Sequence, residues 1–259
     1  MSAADRLVVA EAEGADMTLL TLNRPERRNA LNAALLEQLL AAVGAAESDP
    51  AQRLLILRGA GPAFCSGLDL REAAEEDAHR RSADLIARSL LALSGSRLVT
   101  IACVHGAAVA GGAGLMSACD MAVASAETMM GYPEARRGLV AALVMTLLRR
   151  QLRERDALEI LLTGELFPAG RALAMGLVNR VAPDPDEALA EARRLAAAVR
   201  QGGPQAVSTT KRLLAELWHR PAKADLERAL AAHMAARASP EAAEGLAAFR
   251  EKRPPRWAP

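Results

Sequence analysis

At 259 residues the chain is long enough for one large domain, or for one domain carrying an appendage. Hydrophobic residues make up 51% but aromatics only 2%, so Ala, Leu and Val must build the core, and platforms for stacking nucleic-acid bases are missing. With 32 basic and 31 acidic residues the net charge is +1, which excludes the general electrostatic footprint of a nucleic-acid binder.

The N-terminus carries Asp5, Arg6, Glu11 and Glu13 and shows no apolar secretory segment. Met17 to Leu22 reads as a strand closed by Asn23-Arg24-Pro25. A helix is predicted from Ala30 to Ala46, with Leu31, Leu35, Leu39 and Val43 on its apolar face and Asn29 as its cap. Arg53 to Arg58 is the next strand, closed by Gly59-Ala60-Gly61-Pro62. The charged run 71–98 reads as a solvated helix face, with Leu85, Ile86 and Leu90 in the core or against a ligand chain. Val99 to Val104 and Met121 to Ala124 are further strands. The uncharged stretch Val99–Cys119 is long enough for a membrane span, but Thr100, His105 and its glycines, with Gly111-Gly112 in the middle, favour strand, turn and buried helix. Beyond Glu154 the pattern is helical, near 154–162, 168–176, 185–201, 204–218 and 221–236, and Glu251 to Pro255 reads as an exposed non-helical end. This order predicts an α/β fold with a mostly parallel sheet, then a helical C-terminal region. Cys65, Cys103 and Cys119 sit in apolar contexts, which predicts free thiols in a reducing, cytoplasmic setting.

Two segments are suited to chemistry. Ala63-Phe64-Cys65-Ser66-Gly67-Leu68-Asp69-Leu70 follows a strand and a Gly-Pro turn, and its small residues let the backbone approach a ligand. Gly106 to Gly114 is a strand-to-helix junction, where free N–H groups and the helix dipole suit a developing negative charge. Tight packing would explain either segment alone. Neither is a nucleotide loop, and Phe64 stands where a GxSxG elbow around Ser66 would need glycine. No His, Cys and Asp spacing suits a metal.

In order, Asn23-Arg24-Pro25-Glu26-Arg27-Arg28-Asn29-Ala30-Leu31, the 63–70 loop, His105 to Leu115, Ala118-Cys119-Asp120, Tyr132-Pro133-Glu134 and Ala172 to Val181 resemble the enoyl-CoA hydratase/isomerase (crotonase) superfamily. The resemblance implies a spiral of repeated ββα units, with residues 1–195 as an acyl-CoA-binding core and 196–259 as a helical trimerisation region. It implies a homotrimer or a dimer of trimers, and no cofactor beyond the coenzyme A carried by the substrate. By position, the N–H groups of Leu68 and Gly111 would form an oxyanion hole for the thioester oxygen. Arg27, Arg28, Ala63, Ser66, Gly67, Leu68, Asp69 and Leu70 would line the CoA path, and guanidinium groups there suit phosphates.

Family members that hydrate through two carboxylates have one Glu three residues after the oxyanion glycine and a second twenty further on. Here those positions hold Gly114 and Glu134. The single Glu134 would serve as acid and base, shifting a double bond or adding water to it. Alternatively Glu134 is a loop carboxylate paired with Arg136 or Arg137. Tyr132 and Pro133 would line the same site, or Tyr132 is a buried aromatic with a satisfied hydroxyl. Asp120 and His105 read as structural. Two other functions stay open: a non-catalytic acyl-CoA binder, and another thioester reaction such as hydrolysis or decarboxylation.

Overall fold

The computed structural model describes residues 6–69, 76–218 and 222–254. Its main sheet has six strands: β1 (Val8–Ala12), β2 (Met17–Leu22), β3 (Leu54–Gly59), β4 (Val99–Val104), β6 (Met121–Ser125) and β9 (Arg180–Ala182). They lie in the order β1-β2-β3-β4-β6-β9, antiparallel between β1 and β2 and parallel elsewhere. A second sheet joins β5 (Ala107–Val109), β7 (Met129–Gly131) and β8 (Phe167–Pro168). The chain leaves β4 for β5 and then enters α3 (Gly111–Ala118), and it leaves β6 for β7 before α4 (Ala142–Gln151). After β3 the same turn is made by Cys65, which bridges Ala108 in parallel before α2 (Glu76–Ser94). This is the expected ββα repeat.

The inner strands β2, β3 and β4 are buried on both faces, which is why they read as apolar runs. Leu20, Leu22, Leu55 and Leu57 face a core shared with α1 (Ala33–Ser48), α2 and α3. Their neighbours Met17, Leu19, Leu54 and Ile56 face a smaller core closed by α7 (Pro185–Arg200). Ala188, Ala192 and Ala196 recur every four residues on α7, so a stripe of small side chains lets that helix lie close to the strands. The boundary expected at 195/196 falls inside α7.

Helix α1 begins three residues later than its pattern suggests, and the cap is Asn32, whose Oδ1 accepts from Leu35 N at 2.9 Å. The delay has a physical cause. Arg28 and Asn29 are left-handed (φ 49° and 54°), and Leu31 is engaged as an isolated bridge to Leu68. The uncharged stretch becomes β4, β5 and α3, and no helix of the described residues is long and apolar enough to cross a membrane. Asp120 is structural: its Oδ2 accepts from Thr100 N at 2.8 Å and from Lys211 Nζ at 2.6 Å.

The remaining helices are α5 (Glu154–Thr163), α6 (Ala169–Met175), α8 (Pro204–Trp218), α9 (Ala222–Arg237) and α10 (Pro240–Glu251). Helix α10, unmarked in the sequence reading, takes in Glu251 and is capped by Ser239, whose Oγ accepts from Ala242 N at 3.1 Å. It returns to the core: a Cβ on Gly245 would overlap the carbonyl of Arg137, so this helix is pressed directly onto the turn after Glu134.

Candidate active site

The loop 63–69 runs beside β5. Phe64 N donates to His105 O (2.9 Å), Cys65 N to Ala107 O (3.0 Å), and Val109 N to Cys65 O (3.1 Å). Its other side is tied to the chain before α1, with Leu31 N donating to Gly67 O (2.8 Å) and Asp69 N to Leu31 O (2.9 Å). Gly67 turns between these attachments at φ 92°, where a side chain would strain the backbone. Ala110 enters α3 at φ 51°, ψ −122°, a conformation that L residues rarely hold unless their surroundings impose it. The N–H groups of Leu68 and Gly111 find no acceptor among the described residues. They are close, since an ideal Cβ on Gly111 would lie 4.0 Å from Leu68 N.

Asn29 holds these loops together. Its wholly buried side chain accepts from Arg24 N (2.8 Å) and donates to Ala60 O (2.9 Å) and Ala63 O (2.8 Å). Removing it would orphan three backbone groups and put alanine in a left-handed position. Asn29→Ala is therefore expected to lower stability by about 2–4 kcal/mol in chemical denaturation, far more than an exposed Asn would.

A cleft of about 560 Å³ opens over this backbone. Of the residues expected to meet substrate, Arg27, Arg28, Ser66, Leu68, Asp69, Gly111 and Glu134 line it. Four others do not. Ala63 is buried behind the loop as an acceptor for Asn29, and Gly67 is a backbone spacer. Pro133 is buried, and Tyr132 is wholly enclosed, its hydroxyl 3.0 Å from Ser117 Oγ. Burial holds the Tyr132 hydroxyl well above the usual phenol range, so it keeps its proton. Leu70 lies outside the described residues. Asp69 is half of a shielded ion pair, 2.7 Å from Arg24 Nη1. Cys65 is no nucleophile, because burial pushes its thiol up to about 12.

Glu134 precedes the short turn Ala135–Arg137, and its carbonyl accepts from Arg137 N (2.9 Å) and Leu139 N (3.0 Å). Its Oε2 is buried without a hydrogen-bond partner. Burial pushes the carboxyl up to about 7, opposed by a hydrogen bond from its own backbone and by the charge of Arg137. The loop ion pair allowed from sequence is not formed: Arg136 instead donates to Thr163 O (2.6 Å) and Glu165 (3.2 Å), and no ion pair joins Arg137 to Glu134 among the described residues. At Gly114 a Cβ would stand 3.2 Å from Val144 Cγ2 and 3.5 Å from Leu90 Cδ2. Apolar side chains fill the surroundings of the absent acid.

Ile86, placed from sequence in the core or against a ligand chain, lines the cleft from α2. The rest of the cleft escaped the sequence reading: Leu139 to Val144 form one wall, with His233 from α9 and Phe249 from α10. Burial lowers the pKa of His233, a hydrogen bond to Val140 O opposes this, and Arg237 lowers it further, which favours neutral imidazole. These positions carry no local motif, since helix packing alone brings them to the site.

The enoyl-CoA hydratase/isomerase family model matches residues 12–259. A Thermus thermophilus protein provisionally named an enoyl-CoA hydratase is 40% identical, covering 96% of this chain and 100% of the relative. The mevalonyl-coenzyme A hydratase sidH of Aspergillus fumigatus is 35% identical, covering 93% and 91%. A crystal structure of an enoyl-CoA hydratase from Mycobacterium avium superposes with a TM-score of 0.87 at 37% identity, covering 98% of this chain and 99% of that one. The fold is the crotonase fold, and the chain belongs to the enoyl-CoA hydratase/isomerase family.

Proposed function

We propose that the cleft holds an acyl-CoA thioester, stabilises its enolate at the Leu68 and Gly111 N–H groups, and moves one proton with Glu134. The observation that carries this reading is the Glu134 carboxyl, whose Oε2 is buried without a hydrogen-bond partner, sharing one cleft with two backbone donors that have no acceptor among the described residues. With 3-enoyl-CoA, the Glu134 carboxylate takes a proton from C2, and the electron pair delocalises as a dienolate whose thioester oxygen the two N–H groups hold. Return of the proton to C4 leaves the double bond between C2 and C3 and restores the carboxylate. Nothing else is consumed, so this scheme needs no cofactor beyond the CoA ester. A carboxyl poised near 7 suits both halves of the transfer.

Hydration is the second reading, favoured by the hydratase names of the relatives. It requires a group other than position 114 to place the water. Turnover of 3-enoyl-CoA and 2-enoyl-CoA, followed by mass and chromatography, separates the two. A shifted double bond at constant mass supports isomerisation, and a gain of one water supports hydration. Measurable ester binding without turnover of either would leave an acyl-CoA binder. Leu162 on α5 (72% exposed) and Leu214 on α8 (48%) are consistent with burial between copies in a homotrimer or dimer of trimers, which light scattering would size.

A further inference from the structure

The cleft contains a cation to which the proton-transfer scheme gives no bond. Arg137 is half-buried, and its guanidinium makes no hydrogen bond or ion pair among the described residues. It stacks on the Phe249 ring, with 4.6 Å from the guanidinium carbon to the ring centroid, and its charge acts on the Glu134 carboxyl without bonding to it. The position is nonetheless fixed. Gly245 of α10 packs against the Arg137 carbonyl, Arg137 N donates to Glu134 O, and Phe249 sits four residues along the same helix. Beside it the wall is apolar, formed by Leu139, Val140 and Ala141. It is also separate in the chain from Arg27 and Arg28, which lie with Ser66 and Asp69 in the segments that the family resemblance assigns to CoA.

A guanidinium has five N–H donors in a planar fork, and withdrawing it from water without an acceptor is costly. A ring on one face leaves its N–H edge available, and a carboxylate matches that edge with two parallel bonds. We propose that Arg137 selects CoA esters whose acyl group itself carries a carboxylate. The proposal rests on reading the cleft as an acyl-CoA site.

The test compares two six-carbon esters, 3-hexenoyl-CoA and its ω-carboxylate counterpart 5-carboxypent-3-enoyl-CoA, on the full chain. Turnover is followed alongside calorimetric binding of the saturated pair, hexanoyl-CoA and 5-carboxypentanoyl-CoA, and of free CoA. The expected result is a preference for the carboxylate ester of about tenfold to 100-fold, the range of a charge-assisted hydrogen bond. Arg137→Met, which keeps a long side chain against Phe249, should abolish that preference, and Arg137→Lys should restore part of it. No preference in the wild type overturns the proposal. So does an equal loss of both esters and of free CoA in Arg137→Met, which would mean that Arg137 reads CoA phosphates. If neither ester is turned over, the proposed catalytic function fails, while the saturated pair still decides the selectivity.

Discussion

Glu134→Gln is expected to reduce kcat by about 10²–10⁴-fold while the CoA ester still binds, because the variant keeps the cleft and both backbone donors but loses the proposed acid/base. The wild-type pH profile should carry the same signature. With the free carboxyl at about 7, kcat/KM rises with pH up to that value and levels above it, and the rising limb disappears in the variant. Stability should respond with the opposite sign to activity. The folded-state pKa is raised above the ordinary 4.5, so between 4.5 and about 7 the folded chain binds more protons than the unfolded one. Folding stability attributable to this group therefore falls as pH rises through that window, and the full penalty is present above 7. At about 1.4 kcal/mol per pH unit it is on the order of 3–4 kcal/mol. Gln carries no charge to desolvate, so the variant should melt several degrees above the wild type at pH 8 and lose that lead by pH 5. Equal melting temperatures at pH 8 would show a hydrated carboxylate and remove the basis for its raised pKa.

The parts of the proposed site marked in the sequence are those built from backbone. Loop 63–69 and the start of α3 stand out through small residues because the two segments approach each other closely, and close approach leaves a local mark. Gly67 at φ 92° is such a position. The two-sided burial of β2 and β3 was likewise legible as unbroken apolar runs. The Asn29 cap was misassigned because a left-handed asparagine bonding across 31 to 34 residues has the same letter as a helix cap, and Asn32 stands three positions on. For Tyr132 the sequence leaves two places open, the site beside Glu134 or a buried position with its hydroxyl satisfied; the chain turns after β7 and takes the second, with the hydroxyl against Ser117. The far wall was least legible. Arg137 could be read only as a possible partner of Glu134, while His233 and Phe249 reach the cleft by tertiary packing of α9 and α10. Leu139 to Val144 look like any apolar approach to a helix.

Gly67→Ala should show how far catalysis depends on the close approach of the loop before Leu68 to the entry of α3. An ideal Cβ there lies 2.8 Å from Val109 O, 3.1 Å from Ala110 Cβ and 3.6 Å from Gly111 N. The new methyl can be housed only by moving loop 63–69 away from the entry to α3, and that movement separates Leu68 N from Gly111 N. Misplacing one oxyanion donor costs about 10²–10³-fold in kcat. Alanine at this φ, with the overlap, should also destabilise the fold by about 2–3 kcal/mol. Gly170→Ala is the matched control: it lies in α6 without a positive φ, has nothing within 4 Å of its Cβ, and should gain up to about 1 kcal/mol. Assays well below both melting points separate the rate loss from unfolding. If Glu134 and the two donors act on the same enolate, adding Gly67→Ala to Glu134→Gln should cost much less than Gly67→Ala does alone, because the charge that the donors stabilise is then scarcely formed. Fully multiplicative losses would mean that the two elements serve different steps, and the single-cleft proton transfer would have to be abandoned.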